Sequence, residues 1–206
     1  MRFASFEVAD RYSYGVVTGD GIREASPGFR DRYRNLRAVL AAGTLQQLAA
    51  DTGGEVFAET DLRFLPAIPD PDKILCVGVN SRPHAEEMGR ELPAHPVIFT
   101  RFSGSLVGHG QAVIRPQASE QFDFEGELAV IIGKPARHVD RGDAMEYVAG
   151  FSCFLDGSVR DWQRHTRQFT PGKNFEQSGA LGPWLVTGDE VVELPEVSLT
   201  TIVSGE

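Results

Sequence analysis

The sequence predicts an α+β protein that is rich in β-strands. Apolar runs of strand length recur through residues 74–203, whereas helical patterns are few and short. The regular alternation of strands and helices that would predict a doubly wound parallel sheet is missing. A hydrophobic share of 41%, with 22 glycines and 12 prolines in 206 residues, is typical of an ordinary folded chain with many turns. Disorder is therefore not expected.

Residues 1–65 are predicted to form a small α/β N-terminal domain. Short apolar runs alternate with polar turns there, and a helical pattern covers residues 36–48. Gly43 and Thr44 interrupt that pattern, and Thr44 is expected to cap a second helix. This part of the sequence carries no cluster of side chains that points to chemistry.

A proline-rich linker is predicted at residues 66–72, followed by a larger domain at 73–206. Pro66, Pro69 and Pro71 place three prolines within six residues, a pattern that can neither continue a helix nor occupy a central strand. The predicted strands beyond the linker cover residues 74–79, 97–100, 112–114, 122–132, 150–155, 184–187 and 197–203. The helical patterns lie at 83–88, after a cap at Asp143, and at 161–168.

Charge and hydropathy exclude several classes of partner. The chain has 29 acidic and 20 basic residues, a net charge of -9, and no segment concentrates enough Lys and Arg to bind a row of phosphates. Its longest apolar stretches, such as 128–132, fall far short of the ~20 residues that cross a bilayer. Glu7 lies where a signal peptide needs its apolar core. A cytoplasmic protein without nucleic-acid or membrane partners is expected.

The two cysteines are expected to be reduced thiols in the core. Cys76 and Cys153 are far apart in the sequence, and each has apolar neighbours. This setting argues against a disulfide or a zinc knuckle.

Acidic residues at two strand ends suggest a cation site. Asp123, Glu125 and Glu127 alternate, so on a strand they point to the same face. Like charges on a buried strand repel and shift toward protonation unless a cation compensates them. The alternative is a solvated acidic strand end. Asp156 follows the apolar run at 150–155 and adds a carboxylate, and oxygen ligands of this kind favour Mg²⁺ or Mn²⁺ over Zn²⁺.

Other common chemistries lack their motifs. The sequence contains no Gly-x-Ser-x-Gly nucleophile elbow. Residues 172–174 lack the glycine spacing and the Ser or Thr of a phosphate-binding loop, and residues 108–110 are too short for a dinucleotide fingerprint. Serine catalysis and nucleotide binding are therefore not predicted.

Six motifs in order resemble the fumarylacetoacetate hydrolase family across residues 65–206. They lie at 73–80, 84–89, 105–108, 123–133, 156–163, and at 172–175 before 181–184. A Glu-x-Glu pair alone would be a weak signal, but six motifs in order are specific. The resemblance implies curled mixed β-sheets of roll-like or barrel-like form around a metal, a homodimer, and a small variable N-terminal domain.

The resemblance also implies a ligand set and a reactive pair. Glu125, Glu127 and Asp156 match the family's metal-binding carboxylates, which would hold Mg²⁺, with Mn²⁺ or Ca²⁺ as alternatives. His84 and Glu87 match its acid–base pair on a short mobile helix, where an i,i+3 spacing lets Glu87 orient the imidazole. The alternative for these two residues is an exposed surface pair.

Further positions are assigned by the same resemblance. Lys173 matches a lysine beside the metal, and Gln163 and Arg82 are expected to contact the substrate. Arg160 and Asp161 are expected to form a structural pair.

The implied reaction is metal-assisted hydrolysis of a carbon–carbon bond in a 2-oxo acid, acylpyruvate or 1,3-diketone acid, as in aromatic-compound catabolism. An alternative at the same site is isomerisation or decarboxylation of an unsaturated 2-oxo diacid of the 5-carboxymethyl-2-hydroxymuconate or 2-hydroxyhepta-2,4-diene-1,7-dioate type. A further alternative is a protein without activity, either an inactive fragment or a dimerisation module.

The sequence departs from the family pattern at three places. Ser81 replaces a usual Tyr, and Leu155 replaces a usual Asn before the metal-binding Asp156. The family continues through a Thr-Gly-Thr-Pro loop that helps to hold the substrate carboxylate, whereas this sequence ends at Glu206 in a segment resembling a hairpin turn. The resemblance therefore predicts that the C-terminal part of the domain is missing.

Overall fold

The computed structural model describes residues 1–79, 86, 89, 91, 93–191 and 197–206. Its strands are β1 (Arg2–Val8), β2 (Arg11–Thr18), β3 (Gly21–Glu24), β4 (Val56–Phe57), β5 (Arg63–Phe64), β6 (Ile74–Gly78), β7 (Val97–Arg101), β8 (Leu106–Val107), β9 (Phe122–Asp123), β10 (Gly126–Ile132), β11 (Val148–Leu155), β12 (Ser158–Val159) and β13 (Gly179–Thr187). Its α-helices are α1 (Pro27–Arg32), α2 (Leu36–Ala41), α3 (Leu45–Ala50), α4 (Arg160–Gln163) and α5 (Thr170–Lys173). The helix predicted at 83–88 lies outside the described residues.

A nine-stranded mixed sheet organises the fold. Its strand order is β10-β11-β13-β1-β2-β3-β4, with β5 also paired to β1 and β8 paired in parallel to β13. The strands β9 and β12, and β6 and β7, form two further antiparallel pairs. The predicted strand-rich α+β class is confirmed.

The sheet runs from the N-terminal residues into the larger predicted domain. The strand β1 pairs with β13 through Arg2 opposite Val186 and Phe3 opposite Leu185. Residues 66–72, between these regions, are packed: Ala67 and Ile68 are buried, and the Ala67 N–H donates to the Leu181 carbonyl at 3.2 Å. The division into domains at this segment remains a prediction.

The helices α2 and α3 cover one part of the N-terminal strands. The Asn35 side chain accepts the N–H of Ala38 and caps α2, whose Leu36 and Val39 are fully buried. The predicted interruption at Gly43 and Thr44 is confirmed, because Thr44 is the N-cap residue of α3. Its hydroxyl donates to the Val39 carbonyl at 3.3 Å and so ties the second helix to the first.

Several predicted elements differ from the structure. The apolar pattern at 122–132 forms two strands, β9 and β10, because Phe124 and Glu125 leave the strand conformation and interrupt it. Residues 112–114 and 197–203 are not strands, although the Ile114 N–H donates to the Gln177 carbonyl. The helix predicted at 161–168 ends at Gln163, and Asp143 lies inside a short 3₁₀ helix, Arg141–Tyr147, that begins after Asp140.

The cysteine prediction is half right. Both thiols are free, and Cys76 is buried, but Cys153 is exposed. Neighbouring side chains on a strand point to opposite faces, and on β11 the inward positions are taken by Ser152 and Phe154 on either side of Cys153. An apolar sequence context could not distinguish the two faces of this strand.

None of the helices in the described ranges has the length and apolar character needed to cross a membrane.

The close contact between β11 and β13 gives a first prediction. A Cβ on Gly150 would lie 2.1 Å from the Val186 carbonyl oxygen and 3.0 Å from the Leu185 side chain. Gly150→Ala should therefore push β11 away from β13 and lower the free energy of unfolding by roughly 1–3 kcal/mol, as overpacking does. Urea unfolding measures this loss.

The matched control is Gly142→Ala, whose Cβ would meet nothing within 4 Å. It should change the free energy of unfolding by less than about 0.5 kcal/mol. Equal effects of the two substitutions would contradict the packing argument.

Candidate metal centre

Three carboxylates meet where β10 begins and β11 ends. The two strands pair antiparallel with Gly126 opposite Leu155, so the residues flanking this pair come together. The Asp156 N–H donates to the Glu125 carbonyl at 2.9 Å. The Asp156 side chain is fully buried, whereas Glu125 and Glu127 are half-buried.

Two buried cations hold Asp156. Arg101 Nη1 donates to its Oδ1 at 2.6 Å, and Lys173 Nζ donates to its Oδ2 at 2.6 Å. Arg101 is 2% exposed and Lys173 is 1% exposed. Charges this deeply buried are tolerated only when they are paired and hydrogen-bonded.

Glu125 is also fully paired. Lys173 Nζ donates to its Oε2 at 2.8 Å, and Arg160 Nη1 donates to its Oε1. Burial favours the neutral carboxyl, but these two ion pairs outweigh burial and hold the pKa of Glu125 below its ordinary value.

Arg160 joins the acidic cluster and does not pair with Asp161. It donates to Asp123 Oδ2 at 2.8 Å and to Gln163 Oε1 at 3.0 Å. Asp161 accepts from Ser119 Oγ at 2.7 Å. The expected pair of Arg160 and Asp161 is therefore wrong, because the carboxylates at the start of β10 recruit the guanidinium.

Glu127 is the carboxylate that lacks compensation. Among the described residues its side chain has no hydrogen-bond partner. Burial, with repulsion from Asp156 and Glu125, raises its pKa to about 7. A divalent cation at this position would supply the missing positive charge.

The surrounding donor set fits a metal ion. One ligand atom each of Cys76, Glu127 and Asp156 lie within 4.8 Å of one another. The structure thus brings the predicted carboxylates Glu125, Glu127 and Asp156 into one cluster, with Cys76 beside them. The carboxylate of Glu125 points to Lys173 and Arg160, and it is outside the group of atoms that meet this distance.

The thiol of Cys76 is protonated in this arrangement. Burial, together with the nearby charges of Asp156 and Glu127, raises its pKa to about 12. Its proton would have to leave before the sulfur could bind a cation.

Sequence reasoning located most of the described cluster and missed two members. Lys173 contacts Asp156 and Glu125, and Gln163 contacts Arg160 at the edge of the cluster, whereas Arg101 and Cys76 were not assigned to the site. Arg101 is 55 residues from Asp156 in the sequence, and only the packing of β7 against the end of β11 brings them together. An arginine at the end of an apolar strand was the one available signal. The predicted residues Arg82, His84 and Glu87 lie outside the described residues.

The raised pKa of Glu127 gives a second prediction. In the metal-free protein, the unfolded chain loses this proton near pH 4.5 and the folded chain near pH 7. Stability should therefore fall as the pH rises between these values. Glu127→Gln removes this pH-dependent loss of stability, because the amide does not ionise. Above pH 7 we therefore expect the variant to have a higher free energy of unfolding than the parent by roughly 1–2 kcal/mol, allowing for solvent screening.

Urea unfolding in EDTA across this pH range measures the difference. Saturating Mg²⁺ should reverse the order, because the ion stabilises only the chain that binds it. Glu120→Gln is the control, since the Glu120 side chain is 93% exposed. Parallel pH profiles for the parent and Glu127→Gln would show that folding does not raise the pKa of the Glu127 carboxylate.

Known proteins are similar to this chain in sequence and in fold. The chain is 40% identical over 148 residues to oxaloacetate tautomerase Fahd2a, mitochondrial, of Rattus norvegicus, covering 71% of this chain and 47% of that protein. It thus spans about half the length of this curated relative.

Two solved structures are also similar. Fumarylacetoacetate hydrolase of Exiguobacterium antarcticum has a TM-score of 0.77 at 30% identity, covering 92% of this chain and 67% of that one. The 5-carboxymethyl-2-hydroxymuconate delta-isomerase of Mycobacterium smegmatis has a TM-score of 0.69 at 29% identity, covering 91% and 66%.

The family model described as fumarylacetoacetate (FAA) hydrolase C-terminal matches residues 73–206. This range contains all the carboxylates and cations of the cluster. The six sequence motifs and the sheet-rich architecture lead to the same assignment. The chain belongs to the fumarylacetoacetate hydrolase family.

Proposed function

We propose that this chain belongs to a metal-dependent enzyme that moves a proton beside the keto group of a 2-oxo diacid, as a tautomerase or isomerase. The observation that carries the proposal is the buried cluster in which Lys173 joins Asp156 and Glu125 beside the uncompensated Glu127. The names of the rat relative and of the Mycobacterium smegmatis isomerase support this reaction class.

Glu125, Glu127 and Asp156 would hold the divalent cation, with Mg²⁺ the first candidate and Mn²⁺ or Ca²⁺ as alternatives. When bound, such an ion supplies Lewis-acid stabilisation of negative charge on a keto oxygen. Lys173 would add a fixed positive charge next to the developing oxyanion, because its two ion pairs hold the Nζ atom in place.

The substrate would be held by donors at the edge of the cluster. Gln163 Oε1 accepts from Arg160, which leaves the two amide N–H donors for a substrate oxygen. Arg82 would bind a carboxylate of a diacid through its planar guanidinium. Both assignments rest on the family resemblance.

His84, oriented by Glu87, would move the proton. In the keto-to-enol direction it takes a proton from the carbon next to the keto group, and a proton is returned to the keto oxygen. No electron transfer or further reactant is required.

Carbon–carbon bond hydrolysis is the second candidate. The Exiguobacterium antarcticum hydrolase, with a TM-score of 0.77, favours it. In this reaction His84 would instead take a proton from water. The bound divalent ion and Lys173 would stabilise the leaving carbanion as its enolate. Decarboxylation of a 2-oxo diacid uses the same stabilisation. The proposal also includes that the protein forms a homodimer and is located in the cytoplasm.

The reaction class is tested with three substrates and one chain. Enolic oxaloacetate, followed by its ultraviolet absorbance, should convert faster with the chain and Mg²⁺ than with Mg²⁺ alone, and EDTA should abolish the difference. Cleavage of an acylpyruvate without effect on oxaloacetate would establish the hydrolase. The third substrate is 5-carboxymethyl-2-hydroxymuconate. If the Mg²⁺-loaded chain converts none of the three substrates, the alternative of a protein without activity is favoured.

Proton transfer and metal binding are separated by two variants. His84→Ala should keep the Mg²⁺ affinity and lower kcat by roughly 10²- to 10⁴-fold, the usual contribution of a positioned acid–base group. Asp156→Asn should weaken Mg²⁺ binding and turnover together. Calorimetric Mg²⁺ titration and steady-state kinetics measure both effects.

The control for this pair is His95→Ala, at an exposed position. It should leave both quantities unchanged. If His84→Ala bound Mg²⁺ as poorly as Asp156→Asn, the histidine would be a ligand rather than an acid–base residue. Full turnover by His84→Ala would require another base.

A further inference from the structure

Cys76 places a soft ligand atom in a site that otherwise offers oxygen. It is the inward-facing residue at the centre of β6, 7% exposed, between the exposed side chains of Leu75 and Val77. Its Sγ and one oxygen each of Glu127 and Asp156 lie within 4.8 Å of one another. The sulfur therefore faces the same space as the carboxylates.

Two of these three side chains have unused ligand atoms. In the described part of the chain, neither the Cys76 thiol nor the Glu127 carboxylate takes part in a hydrogen bond. The apolar side chains in the same core cluster as Cys76 include Phe99 and Phe154. A thiol that is more than nine-tenths buried and points to two carboxylates has little use as a hydrogen-bonding group, but it has the geometry of a metal ligand.

The charges of the cluster favour a thiolate only in the presence of a dication. The carboxylates Asp123, Glu125, Glu127 and Asp156 meet the cations Arg101, Arg160 and Lys173. When all the acids are ionised, these groups leave one negative charge. A divalent ion turns this into one positive charge, and a thiolate from Cys76 then brings the cluster to neutrality.

We propose that Cys76, Glu127 and Asp156 form a second coordination mode for thiophilic divalent cations such as Co²⁺, Zn²⁺ and Cd²⁺, in competition with Mg²⁺ held by oxygen alone. The proposal rests on the metal site of the proposed function. The metal–sulfur bond forms as the S–H bond breaks, the proton passes to solvent, and no group is oxidised or reduced. Thiolate selects these ions, whereas Mg²⁺ takes oxygen ligands.

Cobalt reports on the sulfur directly. Titration of the chain with Co²⁺ should produce a thiolate-to-cobalt charge-transfer band in the near ultraviolet that saturates at one ion per chain. The sequence holds 2 cysteines, so Cys153→Ser leaves Cys76 as the single thiol. The band should be retained in Cys153→Ser and lost in Cys76→Ser.

Affinities give a second readout. Cys76→Ser should weaken Cd²⁺ binding by at least about 10-fold, the loss that even an outer-shell contact produces at metal sites. Its Mg²⁺ affinity should stay within about 3-fold of the parent, because Mg²⁺ uses oxygen ligands. Excess Mg²⁺ should reduce the cobalt band if the two ions share Glu127 and Asp156.

The failures are distinguishable. If the parent chain binds Mg²⁺ but shows no charge-transfer band, the sulfur mode is wrong and the proposed function is untouched. If the parent binds neither ion, both are wrong. A band that disappears in Cys153→Ser overturns the assignment to Cys76, and this result does not depend on whether Cys76→Ser folds.

Discussion

The buried contact of Asp156 with Arg101 and Lys173 is the constraint on which the rest of the site depends. Both partners of the Arg101–Asp156 pair have fully buried side chains, so neither charge can be satisfied by water. Ser178 accepts a hydrogen bond from Arg101 Nη2 at 2.8 Å, and the Gly157 carbonyl accepts one from Nη1 at 3.0 Å. Removing one member would leave an uncompensated charge in the interior, which costs more than the pair contributes. The end of β7, the end of β11 and the helix α5, which carry these residues, must therefore keep their relative positions.

The antiparallel register of β10 and β11 turns this constraint into a site. A shift of one residue would send the alternate side chains of β10 to the other face and move Glu127 away from Asp156. The strand β13 supports β11 from the other side, and β1 extends the same sheet toward the N-terminal helices. Packing remote from the carboxylates thus fixes their spacing. Gly150 contributes to it because its missing side chain lets the β13 backbone approach β11 closely.

Sequence alone identified the groups whose signal is local. The alternation of Asp123, Glu125 and Glu127 predicted a group of neighbouring carboxylates, although the strand assumed for it is interrupted at Phe124 and Glu125, and the acid after an apolar run located Asp156. Arg101 and Cys76 were missed because their role depends on which strands become neighbours, and periodicity does not encode this. The apolar pattern at 197–203 wrongly predicted a strand, since a strand also needs a partner to supply its hydrogen bonds.

A cluster of this kind couples metal binding to proton balance and to internal ion pairs. In the ion-free state Lys173 neutralises parts of both Asp156 and Glu125, while Glu127 relieves its repulsion by keeping a proton up to about pH 7. A cation that bound here would displace that proton and share the carboxylates with the lysine. Such an ion would gain most from Glu127, which forms no ion pair among the described residues, and less from the two acids already paired. Selectivity among cations would then depend on the remaining ligand, which would be either an oxygen of Glu125, already held by Lys173 and Arg160, or the sulfur of Cys76.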